Sequence, residues 1–67
     1  MNEDIIKGKW LEIKGMIQQK WGKITENELA EINGNREKLA GTIQKNYGLA
    51  REEVERQLKE WEDDIAA

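Results

Sequence analysis

The chain contains no cysteine, histidine, proline, serine or phenylalanine. Without cysteine there is neither a disulfide framework nor a thiolate site, and without histidine the commonest general base and metal ligand is missing. Long apolar runs are missing too. The longest hold two or three residues, too short to cross a bilayer. Met1 to Asp4 lacks the basic start and apolar stretch of a signal peptide, so a cytoplasmic location is expected.

What is present is 67 residues, 37% of them apolar and 37% charged, with a formal charge of -3. This is one domain, in a size range where a core without a staple rarely supplies more than about 3–5 kcal/mol. Leu, Ile and Val make up 14 residues, just above the share of about 20% below which chains tend to disorder. The small net charge also lacks the imbalance of disordered sequences. A folded domain of low stability is expected.

Ile6, Trp10, Ile13, Ile17 and Trp21 step by four and three, which keeps them on one face of a first helix over about 3–21. Gly22 stands where a left-handed residue should end it. Thr25 and Glu28 then read as a capping box opening a short second helix, about 26–32, that presents Leu29 and Ile32. The turn Asn33, Gly34, Asn35 tolerates positive φ. Leu39, Ala40, Ile43 and Tyr47 mark a third helix over about 36–47, with Gly48 as its left-handed end. Val54, Leu58, Trp61 and Ile65 stripe a fourth helix from about Arg51. Glu52 with Arg56 and Glu55 with Lys59 have the spacing of outward ion pairs. Glu60, Glu62, Asp63 and Asp64 are acids at the wrong end of the helix dipole, so the last turn should fray.

Laying Gly8–Gly22 on Gly34–Gly48 aligns Gly8 with Gly34, Gly15 with Gly41, Ile17 with Ile43, Gln18 with Gln44 and Gly22 with Gly48. The pattern predicts an all-α, small four-helix domain of two hairpins, about 3–32 and 36–65, related by an internal repeat. Neither hairpin can bury its stripe alone. The expected core is Ile6, Trp10, Ile13, Ile17, Trp21, Ile24, Leu29, Ile32, Leu39, Ile43, Tyr47, Val54, Leu58 and Trp61.

Candidate chemistry is sparse. The hydroxyls are Thr25, Thr42 and Tyr47, with no histidine to activate them. The paired acids Glu52/Glu53 and Asp63/Asp64 lie on solvated helix surface without an apolar pocket to raise a pKa. No alternating acidic loop of the EF-hand type is present. A weak cation site at Glu60, Asp63 and Asp64 competes with a plain acidic helix end, which is preferred. No catalytic residue, cofactor or metal is therefore expected. The three tryptophans could stack on single-stranded nucleic acid, but all fall on the apolar stripes. Gly8, Gly15 and Leu11 share the side of the first helix opposite its stripe, either as a contact face or as glycines that merely weaken the helix.

Charge is uneven: residues 1–24 carry +2 and residues 25–67 carry -5. Lys7, Lys9, Lys14, Lys20 and Lys23 fall on both flanks of the first stripe, where their stems can cover apolar surface. With Leu11, and with Arg36 and Lys38 read as exposed near the hairpin turn, they form the possible contact set for a protein or anionic partner.

The run Asp4 to Trp10 (DIIKGKW), then Lys14-Gly15, Lys20 to Thr25 (KWGKIT), Ile32 to Arg36 (INGNR), Leu39, Ile43-Gln44 and Tyr47-Gly48 resembles the CsbD-like family of small bacterial stress-response proteins over nearly the whole chain. Met16 and Thr42 depart from an expected lysine, and Ala50 replaces a common Ser or Thr cap, a loss of about 1 kcal/mol. The resemblance implies two crossed helical hairpins and expression in the general stress response. It brings no known activity, substrate or cofactor. Two modes of action fit: a folded, monomeric binding module, or a hydrophilic protectant of low stability without a specific site. Low-affinity nucleic-acid binding is a weaker alternative, and no membrane contact is expected.

Overall fold

The computed structural model describes the backbone of residues 3–66 and the side chains of residues 6–65. Five helices follow in order: α1 Glu3–Gly8, α2 Trp10–Lys20, α3 Glu26–Ile32, α4 Arg36–Tyr47 and α5 Arg51–Ala66. No strand occurs among the described residues. Helix α4 is the hub, lying against α3 and α5 and receiving α1. The crossed arrangement of two repeat-related hairpins is not what these contacts single out.

The predicted stripes close into one core. Every expected core residue is buried except Tyr47, which is half-buried against it, and Ala40 is buried as well. Trp21 and Trp61 meet edge to face, with ring centroids 5.6 Å apart. This geometry sets a positive ring edge on a negative ring face. The Trp21 indole N–H donates to Gln57 Oε1 at 3.1 Å, so its polar atom is satisfied inside the core.

The first helix is not continuous. Lys9 leaves the helical region at φ -114° and ψ 19°, and its carbonyl accepts from the amides of Glu12 and Ile13, both at 2.9 Å, to start α2. The break follows Gly8, where helical backbone is weakest. The stripe survives it, because Ile6, Trp10, Ile13 and Ile17 all remain buried.

Gly22 is not the left-handed terminus expected. The glycines with positive φ are Gly34 and Gly48, at 83° and 65°. Helix α2 ends instead through Trp21 at φ -117°, whose amide donates to Ile17 O at 2.7 Å. With its ring fixed in the core, Trp21 turns the chain itself. The aligned glycines of the sequence repeat thus do not share a conformation: Gly34 is left-handed and Gly8 helical, Gly48 left-handed and Gly22 not.

The turns around α3 and α4 agree with the sequence. Thr25 Oγ1 accepts from the Glu28 amide at 3.1 Å, and Glu28 Oε1 accepts from the Thr25 amide at 3.0 Å. Asn33 closes α3 in the left-handed region, and Asn35 caps α4 by accepting from the Lys38 amide at 3.1 Å.

The end of α5 departs most from expectation. Glu62 is 1% exposed rather than solvated at a frayed end. Arg36, expected to face outward, turns in and grips it: Nε lies 3.2 and 3.1 Å from the two carboxylate oxygens, and Nη2 lies 3.0 Å from Oε1. Arg36 Nη1 donates to Glu55 Oε1 at 2.8 Å, and Arg51 Nε to Glu55 Oε2 at 2.8 Å. Glu55 is therefore taken by two guanidinium forks and does not pair with Lys59. Arg56 likewise pairs with Glu53 and Glu60 rather than Glu52. Planar guanidinium suits carboxylates better than an ammonium does. Arg36 holds Glu55 below the usual carboxylate range, with Arg51 adding to the effect.

Two sets of variants test this packing. A Cβ at Gly41 meets nothing within 4 Å, so Gly41→Ala is expected to stabilise by about 0.5–1 kcal/mol. At Gly34 a Cβ would stand 3.1 Å from Lys7 Cα on a positive-φ backbone, so Gly34→Ala should destabilise by about 2 kcal/mol. Urea midpoints of equal slope measure both. Glu62→Ala leaves Arg36 without its buried partner and should cost about 3 kcal/mol. The double variant Arg36→Met, Glu62→Leu should recover most of that, and failure to recover would show that the pair does more than satisfy its own charges.

Candidate functional site

The eight residues of the sequence-derived contact set do not form one patch. Leu11 and Lys14 lie along a groove between α2 and α3. Its other lining comes from Trp10, Glu12, Gly15 and Gln18 of α2 and from Glu26, Leu29 and Ala30 of α3, around a volume of ≈ 500 Å³. Lys7 and Lys38 line an adjoining cleft with the Asn33–Asn35 turn, and the two depressions share Ala30. Lys9 is exposed at the α1–α2 break. Lys20 and Lys23 lie toward the other end of α2, with Lys20 Nζ 5.5 Å from the Trp21 ring and Lys23 Nζ 5.1 Å from the Tyr47 ring. Arg36 is spoken for by Glu62 and Glu55 and leaves the set.

The groove exists because of residue size and phase. Leu11, Lys14 and Gln18 step by three and four along the flank of α2, beside the buried stripe rather than in it. Gly15 offers no side chain, and a Cβ there would meet nothing within 4 Å. Ala30 is equally short on the facing helix. Leu11 is left 80% exposed, next to the edges of Trp10 and Leu29. Gln18, Glu26 and Ala30 were not singled out by sequence reasoning. The signal for Gln18 was its step from Leu11 and Lys14, whereas the α3 wall depends on tertiary packing.

The cations divide by type. All three arginines are paired with carboxylates. Of the eight lysines, Lys45 is the one in an ion pair among the described side chains, with Glu28 at 3.3 Å. Arg36 ties α4 to α5 from a largely buried position, Arg51 and Arg56 make their pairs at more exposed positions, and the lysines lie on exposed surface.

Glu28 also fixes the loop that carries Lys23. Besides closing the capping box it accepts from Asn46 Nδ2 at 2.9 Å. The same Asn46 amide donates to Lys23 O at 3.2 Å, and the Lys23 amide donates to the Tyr47 hydroxyl oxygen at 3.1 Å. The end of α4 is thus latched to the loop before α3. The Thr25 amide, then Asn46, then Lys45 lower the Glu28 pKa to about 2. Arg56 and Gln57 lower that of Glu53 to about 2 as well.

Among the described residues, no group of three or more acidic side chains is placed to hold a metal ion, Glu60, Asp63 and Asp64 included. None of their helices is long and apolar enough to cross a membrane.

Because Glu28 binds its proton more weakly when folded, its contribution to stability is present above about pH 4.5 and is lost as pH falls toward about 2. Glu28→Gln should flatten the acid limb of a plot of urea midpoint against pH, leaving a residual slope from Glu53 and other carboxylates.

A family model described as CsbD-like matches residues 4–56. The chain is 48% identical over 63 residues to the UPF0337 protein pc0632 of Protochlamydia amoebophila, covering 94% of this chain and 96% of that protein. It is 43% identical over 63 residues to the UPF0337 protein ECA0631 of Pectobacterium atrosepticum, covering 94% and 91%. With the UPF0337 protein YjbJ of Escherichia coli it shares 37% identity over 62 residues, covering 92% and 90%. No solved structure matches it. From the family match across most of the chain, and relatives of nearly the same length, the protein belongs to the CsbD-like family.

Proposed function

We propose that the chain is a non-enzymatic binding module of the bacterial general stress response, acting in the cytoplasm through the groove between α2 and α3. The exposure of Leu11 carries this reading. A single exposed leucine is ordinary. Leu11 differs by adjoining an open depression edged by Trp10, Leu29 and Ala30, in a chain that buries 14 other apolar side chains. Fully covering a leucine is worth about 1.5–3 kcal/mol, a large amount beside the stability of so small a domain. The volume lies within the range of about 300–1,000 Å³ typical of ligand sites.

The paired arginines and the Glu28 latch support a module with fixed geometry over a hydrophilic protectant, which needs no particular surface. A strain lacking the gene and challenged by osmotic upshift or drying separates them. Wild type should restore tolerance, and so should a variant with Glu52, Lys59, Asp63 and Asp64 permuted at constant charge. Leu11→Asp should lose tolerance while its urea midpoint stays close to that of wild type. Full tolerance with Leu11→Asp would transfer the function to the protectant reading.

A further inference from the structure

We propose that the turn Asn33–Gly34 is a site of self-modification, loss of ammonia from the asparagine side chain, which the native fold holds shut and which opening of the turn sets going. Of the asparagines Asn2, Asn27, Asn33, Asn35 and Asn46, Asn33 is the one followed by glycine. The nucleophile in this reaction is the backbone nitrogen of the next residue, and a glycine nitrogen has no neighbouring side chain to hinder its approach. The Gly34 nitrogen gives its proton to solvent and attacks Asn33 Cγ, while the side-chain nitrogen takes up a proton and leaves as ammonia. A succinimide ring results. Water then opens it on either side. Cleavage of the new Cγ–N bond leaves aspartate, and cleavage of the old peptide C–N bond leaves isoaspartate, with the main chain rerouted through Cβ and Cγ. Water is consumed, ammonia is released, and nothing is oxidised or reduced.

The folded turn opposes ring closure. Asn33 ends α3 in the left-handed region, at φ 43° and ψ 47°. The ring needs Asn33 Cβ and the Gly34 nitrogen eclipsed about the Cα–C bond, and in an L-residue at this ψ they stand nearly opposite each other. Rotating ψ would carry Gly34 out of its seat. Gly34 is buried, and a Cβ built on it would stand 3.1 Å from Lys7 Cα and 3.7 Å from Ile6 O, so α1 lies directly against the turn. The ends of the turn are pinned too: the Asn33 amide donates to Leu29 O at 3.0 Å and the Asn35 amide to Ile32 O at 2.8 Å. The reaction therefore waits for a local opening in which α1 lifts and the turn loosens. The same close fit makes the change one-way. Isoaspartate adds a main-chain carbon between the two pinned amides, where α1 leaves no room. Aspartate adds a negative charge at the carbonyl end of α3, in the cleft that Glu31 also lines. A chain that has opened under stress is thereby marked and does not close again as tightly.

The test is to hold the full chain at neutral pH and one temperature, in buffer alone and in denaturing guanidinium chloride, and to follow the tryptic peptide from Ile24 to Arg36 by mass spectrometry, with chromatography separating aspartate from isoaspartate. Conversion at Asn33 should run at least about tenfold faster in denaturant, while Asn27 and Asn35 of the same peptide stay intact. In denaturant, where folding plays no part, Gly34→Ala should slow it about tenfold by crowding the nucleophile. In buffer, Ile6→Ala thins the α1 contact without altering the turn and should speed conversion about tenfold. Should that variant fail to fold, the wild-type comparison still decides. After denaturant is removed, the converted chain should show a lower urea midpoint than unconverted chain taken briefly through the same steps. Equal rates in buffer and denaturant, conversion at Asn27 or Asn35 as fast as at Asn33, or a converted chain with the unconverted midpoint would each overturn the proposal.

Discussion

The ion pair of Arg36 with Glu62 holds the second half of the chain in register. It joins the first residue of α4 to the last turn of α5, so the two helices are tied where their connecting loop is farthest away. Taking a carboxylate out of water is unfavourable unless its oxygens are fully used. Here three guanidinium contacts of 3.0–3.2 Å use both oxygens of Glu62, and the remaining reach of Arg36 goes to Glu55. No buried side-chain polar atom among the described residues lacks a partner. The pair is better understood as fixing geometry than as adding net stability, because apolar residues of similar volume fill such sites at least as well.

That use of arginine shapes the outer surface. With Arg36, Arg51 and Arg56 all committed to carboxylates, the cations left for contact are lysines. An ammonium is a compact, strongly hydrated charge on a flexible stem, suited to reversible contact more than to fixed bidentate recognition. Lys20 and Lys23 partly rest on aromatic rings, whereas Lys7 and Lys14 border open depressions. Even with a net negative charge, the molecule therefore places Lys14, which meets no carboxylate among the described side chains, beside its most exposed leucine.

Much of the fold was legible because the chain encodes its boundaries locally. Thr25 with Glu28, Asn33 with Gly34, Asn35 and Gly48 each do in three dimensions what their residue types favour, and α3 and α4 have the expected bounds. The break at Lys9 was not legible, since a stripe stepping by three and four reads the same whether or not one residue between its members leaves the helix. Gly22 misled for a different reason: its neighbour Trp21 is held by Trp61 and Gln57, and that tertiary anchor decides how the helix ends. Glu62 was hidden because apolar periodicity counts only apolar residues. It stands four residues after Leu58, on the flank of the α5 stripe, and only the distant Arg36 makes a carboxylate acceptable there.

The groove follows from the same division of labour. Closing it would need only larger side chains at Gly15 and Ala30, and nothing in the core forbids a Cβ at Gly15. Alanine in place of that glycine would strengthen α2 by about 1 kcal/mol. In a size range where a core rarely supplies more than about 3–5 kcal/mol, an unfilled helix face beside an uncovered leucine is a sizeable stability left unused. The core and the arginine pairs are satisfied within the chain, and Thr25 and Asn35 cap α3 and α4, whereas α2 starts at Lys9 without a side-chain cap. Leu11 and Met16, 80% and 42% exposed, are the large apolar side chains left to solvent among the described residues, and Leu11 is the one that lies beside an open groove and a lysine.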